Sequence, residues 1–220
     1  MRLWPTRAQF FLHDVAVLKA DRPGDEASPG VVLPGYLTVE FNASQTAQIL
    51  QLHQQMGHRM SQPRMEQRFR NRLRYFALFE GDVLLGSTWV AIGGGRYVDE
   101  LNWVLPIAPN QFWVRDVYIV PTQRGRGLFP ALLKQIARAH VPGCSAAWSD
   151  VDWINQPSMR AHAKAGFTVQ ARLRALDFNG LVRLRGPVPA WHEAVQDVEP
   201  GKRWLLMRGA RLQRHRELLA

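Results

Sequence analysis

Two arginines and two glycines, Arg124-Gly125-Arg126-Gly127, stand directly before an apolar run from Leu128 to Ala137, an order suited to holding an anion. Gly125 and Gly127 let the backbone fold back tightly and leave its amides unscreened by side chains. A helix opening there presents free N–H groups and the positive end of its dipole to one point. Arg124 and Arg126 add two fixed charges beside it. The guest this chemistry suits best is a pyrophosphate. Cys144 is the one thiol, set between a loop and a strand with no activating histidine beside it, so it reads as a packed residue. A single cysteine also excludes an internal disulfide and a cysteine-rich metal centre, and no metal is expected.

Such a loop needs a strand leading in and a helix leading out. Trp113, Val114, Val117, Tyr118, Ile119 and Val120 are β-branched or aromatic and favour a pleated strand. Pro121 ends it, because proline has no N–H for a central ladder. Beyond the loop, Leu132, Leu133 and Ile136 fall at core-facing helical spacing, with Pro130 tolerated in the first turn.

Spacing separates three phosphate-loop readings. A Walker loop requires Lys-Ser/Thr after its last glycine, whereas Gly127 is followed by Leu128 and Phe129. A dinucleotide fingerprint requires three glycines, and two are present. The third pattern, R-x-x-G at Arg124 to Gly127 after a V-x-P-like strand end, resembles the acyl-CoA loop of the GNAT superfamily of N-acyltransferases. A second motif of that superfamily lies downstream in NQPSMRAHAKAGF, where Asn155, Ser158, Ala161, Lys164, Gly166 and Phe167 fall in register. That segment also makes sense locally as a helix: Asn155 suits the cap, Pro157 an early turn, and Gly166 the left-handed position after the end. The resemblance is specific over residues 113–178 and looser over 36–112. It does not reach the first thirty or so residues or the region after about 187.

The resemblance implies an α/β (mixed α+β) fold, with a central mixed sheet splayed between its fourth and fifth strands and flanked by helices. Trp113–Val120 and Ser145–Val151 would be those strands, with the pantetheine arm of acetyl-CoA between them. Backbone groups of Val117 and Ile119 would pair with pantetheine. Amides of Arg124, Gly125, Arg126, Gly127 and Leu128 would hold pyrophosphate, and Asn155 and Ser158 would complete the coenzyme site. The family reaction is direct attack of an amine on the thioester. Trp113 and Arg115 are then expected to face the acceptor.

Two departures stand out. Phe129 occupies a position the family usually gives to glycine or alanine. Arg115 occupies a position where many members carry a glutamate base, and a guanidinium cannot accept a proton. Strand alternation puts Asp116 on the opposite face, where it suits a partner for a basic residue. Glu100, Asp150 and Asp152 are other candidate bases. His162 stands where many relatives have a tyrosine that protonates the departing thiolate, so it is the candidate acid. The catalytic set expected is therefore His162, Asp116 and Glu100. A buried Arg115 needs either a protein carboxylate or an anionic group on the acceptor.

Composition frames these readings. The net charge of +10 permits nucleic acid, an anionic surface or an acidic substrate as partner. The arginines are spread along the chain and no nucleic-acid motif accompanies them, so a small-molecule amine is expected and nucleic acid is not. No apolar run approaches membrane-spanning length, and a cytoplasmic location is expected. Assembly as a homodimer stays open. The alternatives are a coenzyme-binding module without catalysis, which Arg115 and His162 favour, and a binder of nucleic acid or anionic surfaces.

Along the chain, residues 9–18 suggest a strand, and Asp21 to Gly30 is a Pro/Gly/acid linker, so residues 1–30 read as an appended arm. The acyltransferase domain is expected over 31–187 and a basic extension over 188–220. Tyr36–Phe41 reads as the first core strand, residues 44–57 as a helix, and Met65–Arg74 as a second, strongly basic helix with a solvated face. Tyr75–Phe79 and Val83–Ile92 form a hairpin at Glu80-Gly81-Asp82, and Gly93 to Gly95 ends its second strand. Tyr97–Val104 reads as an edge strand or a substrate-side loop. Phe167–Phe178 and Leu181–Arg185 form a hairpin closed by Asn179-Gly180, and the tail from Trp191 reads as an amphipathic helix.

Overall fold

A computed structural model describes residues 10–29, 35–58, 60–98, 103–178, 181–185 and 196–197. The strands are β1 (Phe10–Asp21), β2 (Tyr36–Phe41), β3 (Arg74–Glu80), β4 (Val83–Val98), β5 (Trp103–Ile119), β6 (Ala146–Asp152), β7 (Thr168–Phe178), β8 (Leu181–Arg185) and β9 (Gln196–Asp197). The helices are α1 (Thr46–Gln55), α2 (Gln62–Arg70), α3 (Leu128–His140) and α4 (Gln156–Lys164). The sheet runs β2-β3-β4-β5-β6-β1-β7-β8, and β9 pairs with β5. Among the described pairings only β5 and β6 run parallel, so the sheet is mixed as expected. No helix among the described residues is long and apolar enough to cross a membrane.

Helices cover both faces. Leu128, Leu132, Leu133 and Ile136 of α3 pack with Phe76, Val90, Phe112 and Val114 of the sheet. Each such side chain contributes about 1.5–3 kcal/mol by leaving water. On the other face, Ile49 of α1 and Met65 of α2 close over Phe41, Tyr75 and Trp89.

Several sequence expectations need correction. The supposed arm is β1, which lies inside the sheet, antiparallel to both β6 and β7. Its Val15, Ala16, Val17 and Leu18 are buried. The linker behind it is strapped to α3: Lys134 Nζ donates to the carbonyls of Glu26 and Ser28, and Arg138 Nε to that of Gly24. Gly93 to Gly95 do not end β4. They form an irregularity in register between Ile92 and Gly94, and the strand resumes as far as Val98. Tyr97 and Val98 close β4 and pair with Val104 and Trp103 of β5, so both ends of this stretch are paired strand, while residues 99–102 lie outside the described residues. The basic helix is Gln62–Arg70 and not wholly solvated, since Arg68 is buried. The β7–β8 hairpin forms. Its turn at Asn179-Gly180, Glu100, and the tail apart from β9 lie outside the described residues.

Candidate active site

The site is built where β5 and β6 part. Their parallel pairing runs from Gln111↔Ala146 to Val114↔Ser149 and goes no further, although β5 continues to Ile119 and β6 to Asp152. Beyond Val114, the edge of β5 that faces β6 carries Arg115 to Ile119 without a partner strand. Backbone donors and acceptors along such an edge suit an extended, amide-bearing ligand.

The glycine loop stands at the end of that edge. Gly127, with φ 74°, caps α3 from the left-handed region, and no side chain caps the helix. Gly125 has φ 84°, and a Cβ on either glycine would meet nothing within 4 Å. Conformation, not space, therefore selects glycine here. The two arginines are tethered. Arg124 Nε donates to Ile119 O at 3.1 Å, and Arg126 bonds Gln123 and the Tyr36 hydroxyl, with Glu80 at 3.5 Å.

The second motif folds as its residues suggest. Asn155 Oδ1 accepts from the Ser158 amide at 3.2 Å, and Gly166 has φ 85° beyond the last turn of α4. Phe129 points into the core, stacked on Phe167 with centroids 6.1 Å apart, so it does not crowd the helix start. Cys144 is half-buried and its thiol is pushed up to about 11 by burial.

At Asp116 the expected strand alternation fails, while the expected basic partner is present. Asp116 has φ 50°, and the β4–β5 register jumps from Ser87↔Tyr118 to Trp89↔Arg115. This bulge cancels strict alternation. Asp116 Oδ2 lies 4.0 Å from Arg115 Nε, so the two side chains approach each other instead of facing apart. Asp116 also contacts Arg68 of α2, whose guanidinium lies 5.1 Å over the Trp89 ring. Burial pushes the Asp116 carboxyl up, but Arg68 and Arg115 outweigh it and hold it below the usual carboxylate range. Burial brings Arg68 down to about 10, still a cation at neutral pH.

Beside this pair, His58 stacks on Tyr118 with centroids 4.5 Å apart, and its Nδ1 lies 2.9 Å from Nδ1 of buried His53. Neither histidine was singled out from the sequence, because their spacing near the end of a helix resembles any polar turn.

The other expected residues are dispersed. His162 is buried on the α3 face between Phe129 and Phe167. Its Nδ1 lies 2.8 Å from Ser158 O, a pure acceptor, so that nitrogen carries the proton and Nε2 accepts from Ser149 Oγ at 2.9 Å. Burial lowers its pKa, so the ring is neutral. Asp116 and His162 thus lie toward opposite faces, with the parting of the strands between them. Trp113 is buried, stacked on Trp148, and its Nε1 donates to Asp150 at 2.5 Å. Asp150 also pairs with Arg96 at 3.6 Å. Asp152 is exposed.

The sequence profile of the acetyltransferase (GNAT) family matches residues 44–167, more than half of the chain. The chain belongs to the GNAT acetyltransferase family. Its glycine loop and second motif both fall within the matched span. Among solved structures, a functionally unknown conserved protein from Staphylococcus epidermidis is similar at TM-score 0.51 and 6% identity, over 76% of this chain and 62% of that one. An acetyltransferase of the GNAT family from Colwellia psychrerythraea gives 0.48 and 12%, over 77% and 56%. A GCN5-related N-acetyltransferase from Kribbella flavida gives 0.42 and 15%, over 85% and 63%. This GNAT chain therefore spans less than two thirds of each of these three. A search of curated proteins finds no match. Membership of that family supports acyl transfer in general.

Proposed function

We propose that this protein moves acetyl from acetyl-CoA to the primary amine of a small acceptor that carries a negative group. The observation that carries the reading is the unpartnered edge of β5 from Arg115 to Ile119, opening onto the glycine loop of a chain with the GNAT profile. Backbone of Val117 and Ile119 would pair with the pantetheine amides. The loop from Arg124 to Leu128 would hold the pyrophosphate, with Arg124 and Arg126 leaving their present tethers. Asn155 Oδ1 is engaged in capping, so its NH2 is the part left to meet the coenzyme, beside Ser158.

Direct attack fits the residues present. The Cys144 thiol is protonated at neutral pH, which leaves it a poor nucleophile. The amine would attack the thioester carbon as the C–S bond breaks to release CoA thiolate. Asp116, held ionised by its arginines, is a weak base, so its part is to orient the acceptor's ammonium while water removes the proton. Arg68 and Arg115 contact this carboxylate and Arg64 also acts on it, so three guanidinium groups gather on the acceptor side. Guanidinium groups suit an acceptor bearing a carboxylate or phosphate. His162 has no N–H directed away from its present partners, so its contribution is to hold Ser149 and α4 in place.

The test is thiol release from acetyl-CoA with a panel of amines, alongside calorimetric titration of CoA. Release with an acidic amine supports the reading, and CoA binding with no release from any amine favours the non-catalytic coenzyme module. Arg115 in place of a carboxylate is the feature that points to that second reading.

A further inference from the structure

The contact between His53 and His58 joins Nδ1 to Nδ1 at 2.9 Å, which admits one hydrogen between them and no more. Which ring donates is decided by the far side of His53. That ring is 2% exposed, and its Nε2 is sealed from solvent with no partner among the described residues. If His53 were the acceptor, its own hydrogen would sit on Nε2 as a buried, unpaired N–H. Orphaned N–H groups are rarer than under-satisfied acceptors, so His53 carries its hydrogen on Nδ1 and donates it. Nδ1 of His58 then accepts, and neutral His58 carries its hydrogen on Nε2. A further proton has no good place. On His53 it would occupy the sealed Nε2, and on His58 it would meet the hydrogen of His53. Burial accordingly lowers the pKa of both rings, that of His53 to about 4.

His58 is held in place as well as in tautomer. Its backbone N–H donates to His53 O at 2.9 Å, its ring stacks on Tyr118, and the Tyr118 hydroxyl is anchored on Met56 O at 3.0 Å. The charged groups that act on it are Arg64 and Arg68 from α2 and Asp116 from β5, while Tyr75 packs against His53. His58 is half-buried, and its Nε2 makes no hydrogen bond among the described residues.

We propose that His58 is a specificity residue of the acceptor side, its Nε2–H locked by His53 as a permanent neutral donor to an oxygen of the acceptor's anionic group, beside Arg68. This rests on the acyl-transfer reading and names a residue that selects within it. A locked donor rewards an oxyanion and gives nothing to an alkylamine.

Two measurements test it. Nitrogen-15 NMR of the full chain reads the tautomers: His53 is expected with Nδ1–H and His58 with Nε2–H, both neutral at pH 7. Kinetics with propylamine, β-alanine and O-phosphoethanolamine read the selectivity. His58→Leu is expected to raise KM for the two acidic amines by about 10- to 100-fold, the loss of a hydrogen bond to a charged group, with propylamine and acetyl-CoA unaffected. His58→Gln keeps a donor and should recover most of the loss. In His53→Leu nothing locks the His58 tautomer, so both Nδ1–H and Nε2–H forms should appear and part of the preference for acidic amines should be lost. The proposal fails if His58 is an imidazolium or an Nδ1–H tautomer at pH 7, or if His58→Leu affects acidic and neutral amines alike. If no amine is acetylated, the acyl-transfer reading fails by itself. Inorganic phosphate then decides this proposal: a shifted His58 Nε2 signal supports it, and an unmoved one overturns it.

Discussion

Arg68 and Asp116 meet across the boundary between α2 and β5, and the contact exists because the backbone of Asp116 is left-handed. A regular strand would have carried the carboxylate to the opposite face. The pair ties the helix to the strand that borders the proposed coenzyme slot. Arg68→Leu would leave Asp116 with Arg115 as its remaining ion-pair contact among the described residues, in a site where 38% of its side chain still reaches water. That exposure moderates the cost of breaking a buried pair to about 1–3 kcal/mol. Urea denaturation should show it, and Arg68→Leu with Asp116→Asn should be less destabilised than the sum of the two. Strict additivity would mean the pair is not coupled.

Stability should fall on mild acidification. His53 has a folded pKa lowered to about 4 against an ordinary 6.5. Between those values the unfolded chain binds more protons, so stability rises with pH through that window and is lost as pH falls from 6.5 toward 4. The full effect of this one ring is about 3 kcal/mol. Asp116, Asp14 and Glu40 are all held low, and their contribution is lost only below about pH 4. Urea midpoints at pH 7, 6 and 5 check the first window, and His53→Leu should flatten the curve there.

Gly86 sets the position of β5 beside the slot. A Cβ at that residue would lie 2.6 Å from both Tyr118 O and Ile119 Cδ1. Gly86→Ala must push β5 away from β4, at a cost of about 1–3 kcal/mol. The displaced backbone includes Ile119, so CoA affinity should fall as well. Calorimetry and thermal melts together decide this, and an unchanged melt with unchanged affinity would place no constraint at Gly86.

Gly127→Val tests the loop. Nothing stands near a Cβ there, but the φ of 74° is costly for a β-branched residue, roughly 1–2 kcal/mol. The side chain would also screen the first amides of α3. The fold should survive while CoA binding weakens at least about tenfold, equivalent to about 1.4 kcal/mol. Undiminished affinity in a folded variant would remove the loop from the coenzyme site.

His162→Phe separates a structural from an acidic role. With both ring nitrogens bonded, the substitution strands Ser149 Oγ–H and should destabilise by about 1–3 kcal/mol. On the proposal that His162 holds Ser149 and α4, kcat should fall by less than about tenfold, whereas loss of a general acid would lower it about 10²–10⁴-fold.

The sequence by itself determined the parts that depend on local backbone chemistry. Gly127 before an apolar helix, Asn155 and Pro157 at the head of α4, and Gly166 at its end are each dictated by a residue's own φ and hydrogen-bonding needs, and their order matched a known family. Even Phe129, ambiguous as a letter, changed nothing in that frame, because an aromatic side chain can turn into the core beneath the helix. What the chain could not announce was pairing between distant segments. β1 looked like an arm because its linker is rich in proline and glycine, yet its buried face is chosen by β6 and β7, far along the chain. The bulge at Asp116 comes from a register conflict between β4 and β5, which no residue near Asp116 encodes alone. Arg68 reads as solvated until Trp89 and Asp116 close around it. The tautomers of His53 and His58 follow from which nitrogen the packed core seals off, so only the tertiary structure could assign them.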